Sequence, residues 1–531
     1  MRLPLTLAAL ALVPLALYAR VTTFDFVQAD DTDLIRGNMS FLQNLRNVPE
    51  AFQRSYFNVE GQPSGRKTYY RPLVIVSFMV DAQAGGAEPR VYHVTNVLIH
   101  TVGVLLLFAL LKTLGSEDTP ALALSLLFAS HPANVQAIAW IPGRNDTLMA
   151  ALALVSLIAF LHYRRTTSAW WLALHVAAYA GALFTKESAL ALPVLLALLA
   201  VASQRDPSDG RRLGPAVLAD GAVVAGWFLL RRAALVDGGD GPGAWTLLTA
   251  LAANAWDLLL YAGKIVLPAH LSVMPGLTRL DMALGGASLA LLVWLLARLA
   301  PRWRRVVIGW VLLFLIPALL VSGLPAYEHR LYFPLMGVIV GISQLPVWSA
   351  ASRRAAVATV ATVAAGFAAL SVAHTGVFRD RYAYWSSATK GTPYAGLAHV
   401  NLGQISESDG DTARAAEHYR AALAADPATP GAHNNLGVLA ARRGDADEAR
   451  AEFRREVARH PANADAYFNL GLVEKLSNRI DAAAPWWERA VAADPGHAAA
   501  HQELAAYYAA KGDAARAARH RDAVRALTGT R

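Results

Sequence analysis

The chain has no cysteine among its 531 residues. Disulfides, thiolate nucleophiles and cysteine-ligated metals are therefore excluded, although an oxidising compartment is not. Charge is scarce as well: Asp, Glu, Lys and Arg make up 16% of the sequence against 55% hydrophobic residues, which is not the balance of a soluble domain. What remains is an integral membrane protein with a polar portion attached. The net charge of +9 does not argue for nucleic acid, because the arginines stand in short clusters between apolar runs, where positive charge fixes orientation in a bilayer. We expect the lipid bilayer as a partner and no nucleic acid. Abundant alanine and arginine point to a GC-rich bacterial genome, and hence to the bacterial inner membrane.

Up to about residue 375 the chain is a series of apolar runs, many near the roughly 20 residues that cross a hydrocarbon core as a helix. Eleven are read as spans: 3–20, 91–111, 119–139, 146–163, 169–184, 188–203, 214–230, 284–300, 306–322, 331–349 and 355–373. The first is taken as an uncleaved span rather than a signal peptide. With a cytoplasmic N-terminus, Arg164/Arg165 and Arg205/Arg211/Arg212 fall inside, as the positive-inside rule asks. A further run, 245–267, is assigned to the outer face or a re-entrant segment, since a full crossing would send Arg298, Arg302, Arg304, Arg305 and Arg353/Arg354 to wrong faces. Eleven crossings place a first outer loop, 21–90, and everything after 375 on one side, the periplasm. Only Arg231 and Arg232 break the rule. The expected division is a membrane domain 1–375, a linker 376–395 and a repeat domain 396–531.

After residue 395 the period changes. Gly403, Gly437 and Gly471 recur every 34 residues, as do Pro427, Pro461 and Pro495. Twelve residues beyond each glycine stands Ala415, Ala449 or Ala483, and four further on an aromatic, Tyr419, Phe453 or Trp487. This pattern resembles tetratricopeptide repeats, helix pairs whose small residues let the two helices approach closely. A fourth unit, 498–531, keeps Leu504, Ala505, Tyr508 and Ala517 and loses the aromatic and the proline, as a capping repeat does. Such a stack offers a concave surface to a protein or peptide. The fold class expected is therefore all-α, a polytopic membrane bundle followed by an α-solenoid.

The chemistry has to come from polar residues placed where lipid would punish them. In the run 91–111, His93, Asn96 and His100 stand at i, i+3 and i+7 and share one helix face. That face either lines a cavity or hydrogen-bonds to a neighbouring helix. The two histidines also admit a metal-site reading with His131 as a third ligand, although no acidic residue stands at ligand spacing beside them. Other polar groups collect at the outer ends of spans: His131, Gln136, Arg144 and Asp146; Lys186 and Glu187; Glu328, His329, Arg330 and Tyr332. All fall on the side of the acidic stretch VQADDTDLIRGN, which carries Asp30, Asp31 and Asp33. Arg71, just before Pro72, is either an interfacial cation with its stem in lipid or a grip for phosphate through paired donors. The second option would also give Arg231 and Arg232 a reason to lie outside.

Quoted together, DD after the first span, YRPL, YHVTNVLIH, HPANVQAIAW with GRND, KES and EHRLYFP, followed by the repeats, resemble the multi-spanning GT-C glycosyltransferases with C-terminal tetratricopeptide repeats. These are relatives of the transmembrane O-mannosyltransferases. The resemblance implies a polyprenyl-phosphate-linked sugar as donor, mannose being one candidate, a hydroxyl acceptor on protein, and a catalytic carboxylate in the first outer loop. Gln136 stands where the family often has glutamate, so no acidic role is assigned there.

That expectation agrees with the residues. Transfer to a hydroxyl needs a base within hydrogen-bond reach of the proton and cations to stabilise the departing phosphate. Asp31 is the first choice as base and Asp30 the second, on the ground that adjacent side chains in extended backbone point to opposite sides; Asp33 is read as structural. The substrate-binding set is Arg71, His93, Asn96, His100, His131, Arg144, Asp146, Lys186, Glu187, Glu328, Arg330 and Tyr332. A carboxylate pair can also hold a hard divalent cation, so metal dependence stays open. The rival reading is a transporter or envelope assembly scaffold with the repeats as a docking platform. A transporter would carry internal symmetry and helices broken at the midplane, and the sequence displays neither.

Overall fold

The computed structural model describes residues 3–57, 69–203, 213–235, 243–321, 325–390 and 393–528. Arg205, Arg211 and Arg212, used above for topology, lie outside the described residues. Every regular element among the described residues is helical, and the chain divides into two units, Met1–Tyr384 and Trp385–Arg531.

Among the described residues of the first unit six helices are long and apolar enough to cross a bilayer: Pro4–Thr23, Pro89–Thr113, Ile141–Thr166, Gly214–Ala234, Arg279–Arg298 and Arg353–Phe378. Pro89–Thr113 and Ile141–Thr166 are largely buried, whereas Arg353–Phe378 has only 6% of its apolar window covered by protein. A long helix that exposes valine and alanine along most of its length is satisfied only in lipid. The chain is a membrane protein.

Helix length supports fewer crossings than the eleven expected. The run 119–139 is bent by 53° between Asp118–Ala129 and Pro132–Ala139, and would be a seventh span if counted as one. The cause is His131-Pro132, since proline cannot continue the hydrogen-bond ladder. Run 331–349 holds only the 12-residue helix Tyr332–Ser343, and 188–203 only the 11-residue helix Leu192–Ala202 after a tight turn. The run 245–267 is split into Ala244–Asn254 and Asp257–Val266. The turns that precede Leu192–Ala202 and Tyr332–Ser343, Glu187–Ala191 and Glu328–Leu331, carry residues of the site.

The second unit is an α-solenoid of eight helices in four pairs, from Ala395–Ser408 to Ala514–Thr528. The 34-residue pattern has a steric meaning. A Cβ added at Gly403, Gly437 or Gly471 would lie 2.3, 2.6 or 2.2 Å from Tyr419, Phe453 or Trp487, so each aromatic packs on bare backbone of the preceding helix. Ala415, Ala449, Ala483 and Ala517 are all buried in the same seams. The turn inside every pair passes through a left-handed residue, Gly410, Gly444, Asn478 and Gly512, the residue types that conformation favours. In the fourth pair Ala505 and Arg521 replace the glycine and the aromatic, yet Leu504 and Tyr508 remain buried.

Candidate functional site

The acidic stretch is a tight turn rather than the extended segment expected. Asp30 has φ +69° and precedes the short helix Asp31–Ile35, a left-handed conformation that is costly for a residue with a side chain. Asp31 turns inward and is 1% exposed. Its Oδ2 accepts from Val27 N at 2.7 Å, and its Oδ1 from Ala29 N at 3.1 Å and Thr32 N at 2.9 Å. Burial pushes its carboxyl from 3.8 up to about 7, against those three bonds, with the Asp30 charge adding to the rise. Asp31 thus clasps the turn, and Asp30 is the partly exposed acid that the turn presents. Asp33 is exposed.

Around that turn stand aromatic and cationic side chains. Trp140 Nε1 donates to Ala29 O at 2.8 Å, and its ring lies 5.2 Å from that of His329. Tyr56 is buried, its hydroxyl has no hydrogen-bond partner among the described residues, and it sits in the field of Arg71, Asp30, Arg144 and Glu187. Arg71 lies over the Tyr56 and Tyr69 rings at 5.5 and 4.5 Å and binds Glu187 Oε2 through Nε and Nη2, both at 3.1 Å. Lys186 donates to Asp146 Oδ1 at 2.6 Å. The second Asp146 oxygen accepts no hydrogen bond among the described residues and faces His329 Nε2 at 4.0 Å.

Electrostatics ties these groups into one cluster. Burial, then the Lys186, Arg330 and Arg71 cations, hold His329 well below its ordinary range, so it is neutral at pH 7. Burial likewise draws the Lys186 ammonium down, with Asp146 opposing and Arg71 and Arg330 reinforcing. Arg330 caps Pro325 O at 3.3 Å and lies over the Tyr327 ring at 5.3 Å. It has no carboxylate in ion-pair contact among the described residues, which leaves it the cation with most to offer an anion. Arg231 belongs to the same end: it covers Trp227, whose ring neighbours Tyr70 at 6.4 Å, and Tyr70 N donates to Glu187.

The structure thus brings together Asp30, Arg71, Asp146, Lys186, Glu187 and Arg330 from the expected set. Others are engaged within the protein. Arg144 is fully buried: Nη1 pairs with Asp81 at 2.6 Å, Nε donates to Asn96 Oδ1 at 2.7 Å and Nη2 to Tyr92 O at 2.8 Å. Asn96 in turn donates to Ile138 O and Ile141 O, both at 3.2 Å. The polar face of that helix therefore does not line a cavity at this point; it pins the turn 138–141 to the bundle. A Cβ at Gly143 would lie 2.8 Å from Ala137 O, so the same turn closes only with glycine there. His100 shares a 2.8 Å hydrogen bond with Tyr332, and His131 reaches Ile265 O at 3.0 Å. Glu328 is enclosed by Lys264, Ser272 N at 3.0 Å and His374 Nε2 at 3.2 Å. His93 packs edge-on against Phe24 at 6.3 Å. Burial and these partners engage Arg144, Asn96, His100, His131, Tyr332 and Glu328 as braces within the protein, whereas both ring nitrogens of buried His93 have no hydrogen-bond partner among the described residues.

For the metal reading, no three His, Asp or Glu side chains among the described residues converge at a binding distance, and both Asp31 oxygens are already occupied by backbone donors.

Asp81, Lys264 and Tyr56 were missed in the sequence. For the first two a signal existed, because each is a lone charge inside an apolar run, LVIVSFMVDA and LLLYAGKIV, where a charge demands a partner. Tyr56 carried none.

The family described as Tetratricopeptide repeat matches residues 383–430, 400–464 and 434–498. Protein O-mannosyl-transferase Tmtc1 of Drosophila melanogaster is 32% identical over 209 residues, 38% of this chain and 24% of that protein. A protein O-mannosyl-transferase of Caenorhabditis elegans is 24% identical over 451 residues, 80% of this chain and 63% of that one. Among solved structures, that of MamA is 23% identical with a TM-score of 0.24, covering 28% of this chain and 85% of that protein. The alignment with the fly protein spans about a quarter of its length. The chain is thus a membrane protein with tetratricopeptide repeats that is similar in sequence to protein O-mannosyl-transferases.

Proposed function

We propose that the protein is a membrane glycosyltransferase that moves a sugar from a polyprenyl-phosphate donor to a hydroxyl on a protein, with mannose the first candidate from the names of its relatives. One observation carries the reading: a partly exposed, backbone-strained aspartate, Asp30, stands among Arg71, Lys186, neutral His329 and Arg330 at one end of a lipid-embedded bundle. A lipid-linked donor can present its sugar there while its tail stays in the bilayer.

Asp30, not Asp31, is the base in this scheme. The acceptor oxygen attacks the anomeric carbon as its proton passes to the Asp30 carboxylate. The bond from that carbon to the donor phosphate breaks, and its electron pair leaves with the phosphate. Arg330 takes the growing negative charge first, since Arg71 and Lys186 are shared with Glu187 and Asp146. Asp31 sets the shape of the turn, and Trp140 and His329 hold it against the bundle. Catalysis is assigned to the extracytoplasmic side, and the repeats to binding the acceptor protein or a partner peptide.

Mass spectrometry of envelope proteins tests the activity. Hexose-bearing peptides should vanish from a strain lacking the chain and return with the wild-type sequence. An unchanged set of modified peptides would overturn the proposal.

A further inference from the structure

Gln136 decides the state of one side chain in the cluster. It is fully buried. Its Nε2 donates to Val273 O at 3.2 Å, and its Oε1 accepts from the backbone N of His329 at 3.1 Å. Each of these bonds independently fixes which end of the amide is oxygen. The same Oε1 lies 3.2 Å from His329 Nδ1. An amide oxygen only accepts, so Nδ1 carries the ring hydrogen, and in the neutral ring Nε2 is then a bare lone pair.

That lone pair meets no hydrogen-bond donor among the described residues. The polar atom facing it is Asp146 Oδ2, 4.0 Å away, which accepts no hydrogen bond among them either. Two acceptors turned toward one another require a donor from outside the fold. A proton on Nε2 would serve both, but burial, then the Lys186, Arg330 and Arg71 cations, keep the ring neutral. The same cations repel a metal ion or an ammonium ligand, which leaves a neutral donor. Position narrows its identity. Trp140, hydrogen-bonded to Ala29 of the acidic turn, stands 5.2 Å from the His329 ring. The Tyr327 ring lies 5.3 Å from the His329 ring and 5.3 Å from the Arg330 guanidinium. His329 therefore neighbours both the turn that carries Asp30 and the arginine assigned to the donor phosphate, which is where the sugar of a lipid-linked donor has to sit.

We propose that His329 Nε2 accepts a hydrogen bond from a hydroxyl of the donor sugar, and that Gln136 is the positioning residue that holds His329 in the tautomer able to accept it. The identity of the ligand rests on the transferase reading; the contact adds to that reading a means of recognising the sugar ring rather than the phosphate. The Asp146 carboxylate facing Nε2 favours the hydrogen end of the approaching hydroxyl dipole. A sugar without that hydroxyl leaves the lone pair unmatched, so the contact discriminates between donors.

The test uses the full chain in detergent, isotope-labelled at its histidine ring nitrogens and read by NMR, with the His329 resonances assigned by their absence from His329→Phe. Wild type should show the Nδ1–H tautomer at neutral pH, and Gln136→Leu a mixture of the two tautomers. Polyprenyl-phosphate mannose added without an acceptor protein should move the Nε2 resonance of wild type, and among its singly deoxygenated analogues the one lacking the bonded hydroxyl should not. In the transfer assay that analogue should react about tenfold less efficiently than the parent donor with wild type and equally well with His329→Phe. An Nε2–H tautomer or an imidazolium in wild type at neutral pH would overturn the role of Gln136. An Nε2 resonance that every analogue moves alike, or a loss in His329→Phe that adds to the loss of every analogue, would overturn the hydroxyl contact alone. A wild-type chain that keeps the Nδ1–H tautomer yet neither binds nor transfers the lipid-linked sugar would overturn the transferase reading, and with it the ligand named here.

Discussion

Asp31 couples the fold of the acidic turn to pH. Its carboxyl sits at about 7 in the folded chain against 3.8 ordinarily, so the folded state binds this proton more tightly than the unfolded state does. The associated stability is fully present below about pH 4 and is lost as pH rises through about 7. Asp31→Asn should therefore flatten the decline in melting temperature across that window relative to wild type, in a thermal series taken at fixed salt. The variant should also be less stable at the acid end, because an amide oxygen cannot replace both carboxylate oxygens that accept from Val27, Ala29 and Thr32. Arg144 gives a second expectation. Arg144→Ala leaves Asp81 charged and buried without its partner, at a cost of about 3–5 kcal/mol; Arg144→Ala with Asp81→Ala should recover much of that loss in the same unfolding measurement. Adjacency in sequence did not reveal which aspartate faces outward. The left-handed backbone at Asp30 reverses the turn, and that geometry is set by packing against Trp140 rather than by local composition.

At the scale of elements, the repeats were the most legible part of the chain. Glycine, alanine and aromatic at fixed offsets record a contact between two neighbouring helices, and a local contact leaves a local pattern. Gly437→Leu should drive a side chain into Phe453, whose ring stands 2.6 Å from the added Cβ, and lower the stability of the repeats by about 1–3 kcal/mol. Circular dichroism of the chain before and after the substitution would register the loss as an earlier helical unfolding step. The spans were less legible. Apolar runs of similar composition became long crossing helices in one case and short helices at the site in another, because His131-Pro132 and similar breaks decide length. On the face His93, Asn96 and His100, the bracing of a turn comes from Asn96 through Arg144 and Asp81, which stand 48 and 15 residues from it in sequence.

At the scale of the membrane unit, residues from positions 30, 71, 146, 186 and 330 share one end of the bundle; a common side for them was arguable from loop placement alone. The pairing inside the cluster was not. Glu328 lies next to His329 in sequence yet faces Lys264 and His374, whereas Arg330 is left with its charge available. Arg330→Gln should then reduce sugar transfer by about a hundredfold with little change in melting temperature. Glu328→Gln should instead destabilise the chain, since it leaves buried Lys264 without a counter-charge.

The central claim is that Asp30 takes the acceptor proton. Reconstituted full chain supplied with polyprenyl-phosphate mannose and an acceptor protein identified by mass spectrometry would be assayed as wild type, Asp30→Asn and Asp31→Asn, each checked for membrane insertion. Asp30→Asn should lose at least about a hundredfold in rate while folding normally, and Asp31→Asn should keep measurable transfer with a less stable turn. Wild-type transfer by a well-folded Asp30→Asn protein would contradict the account.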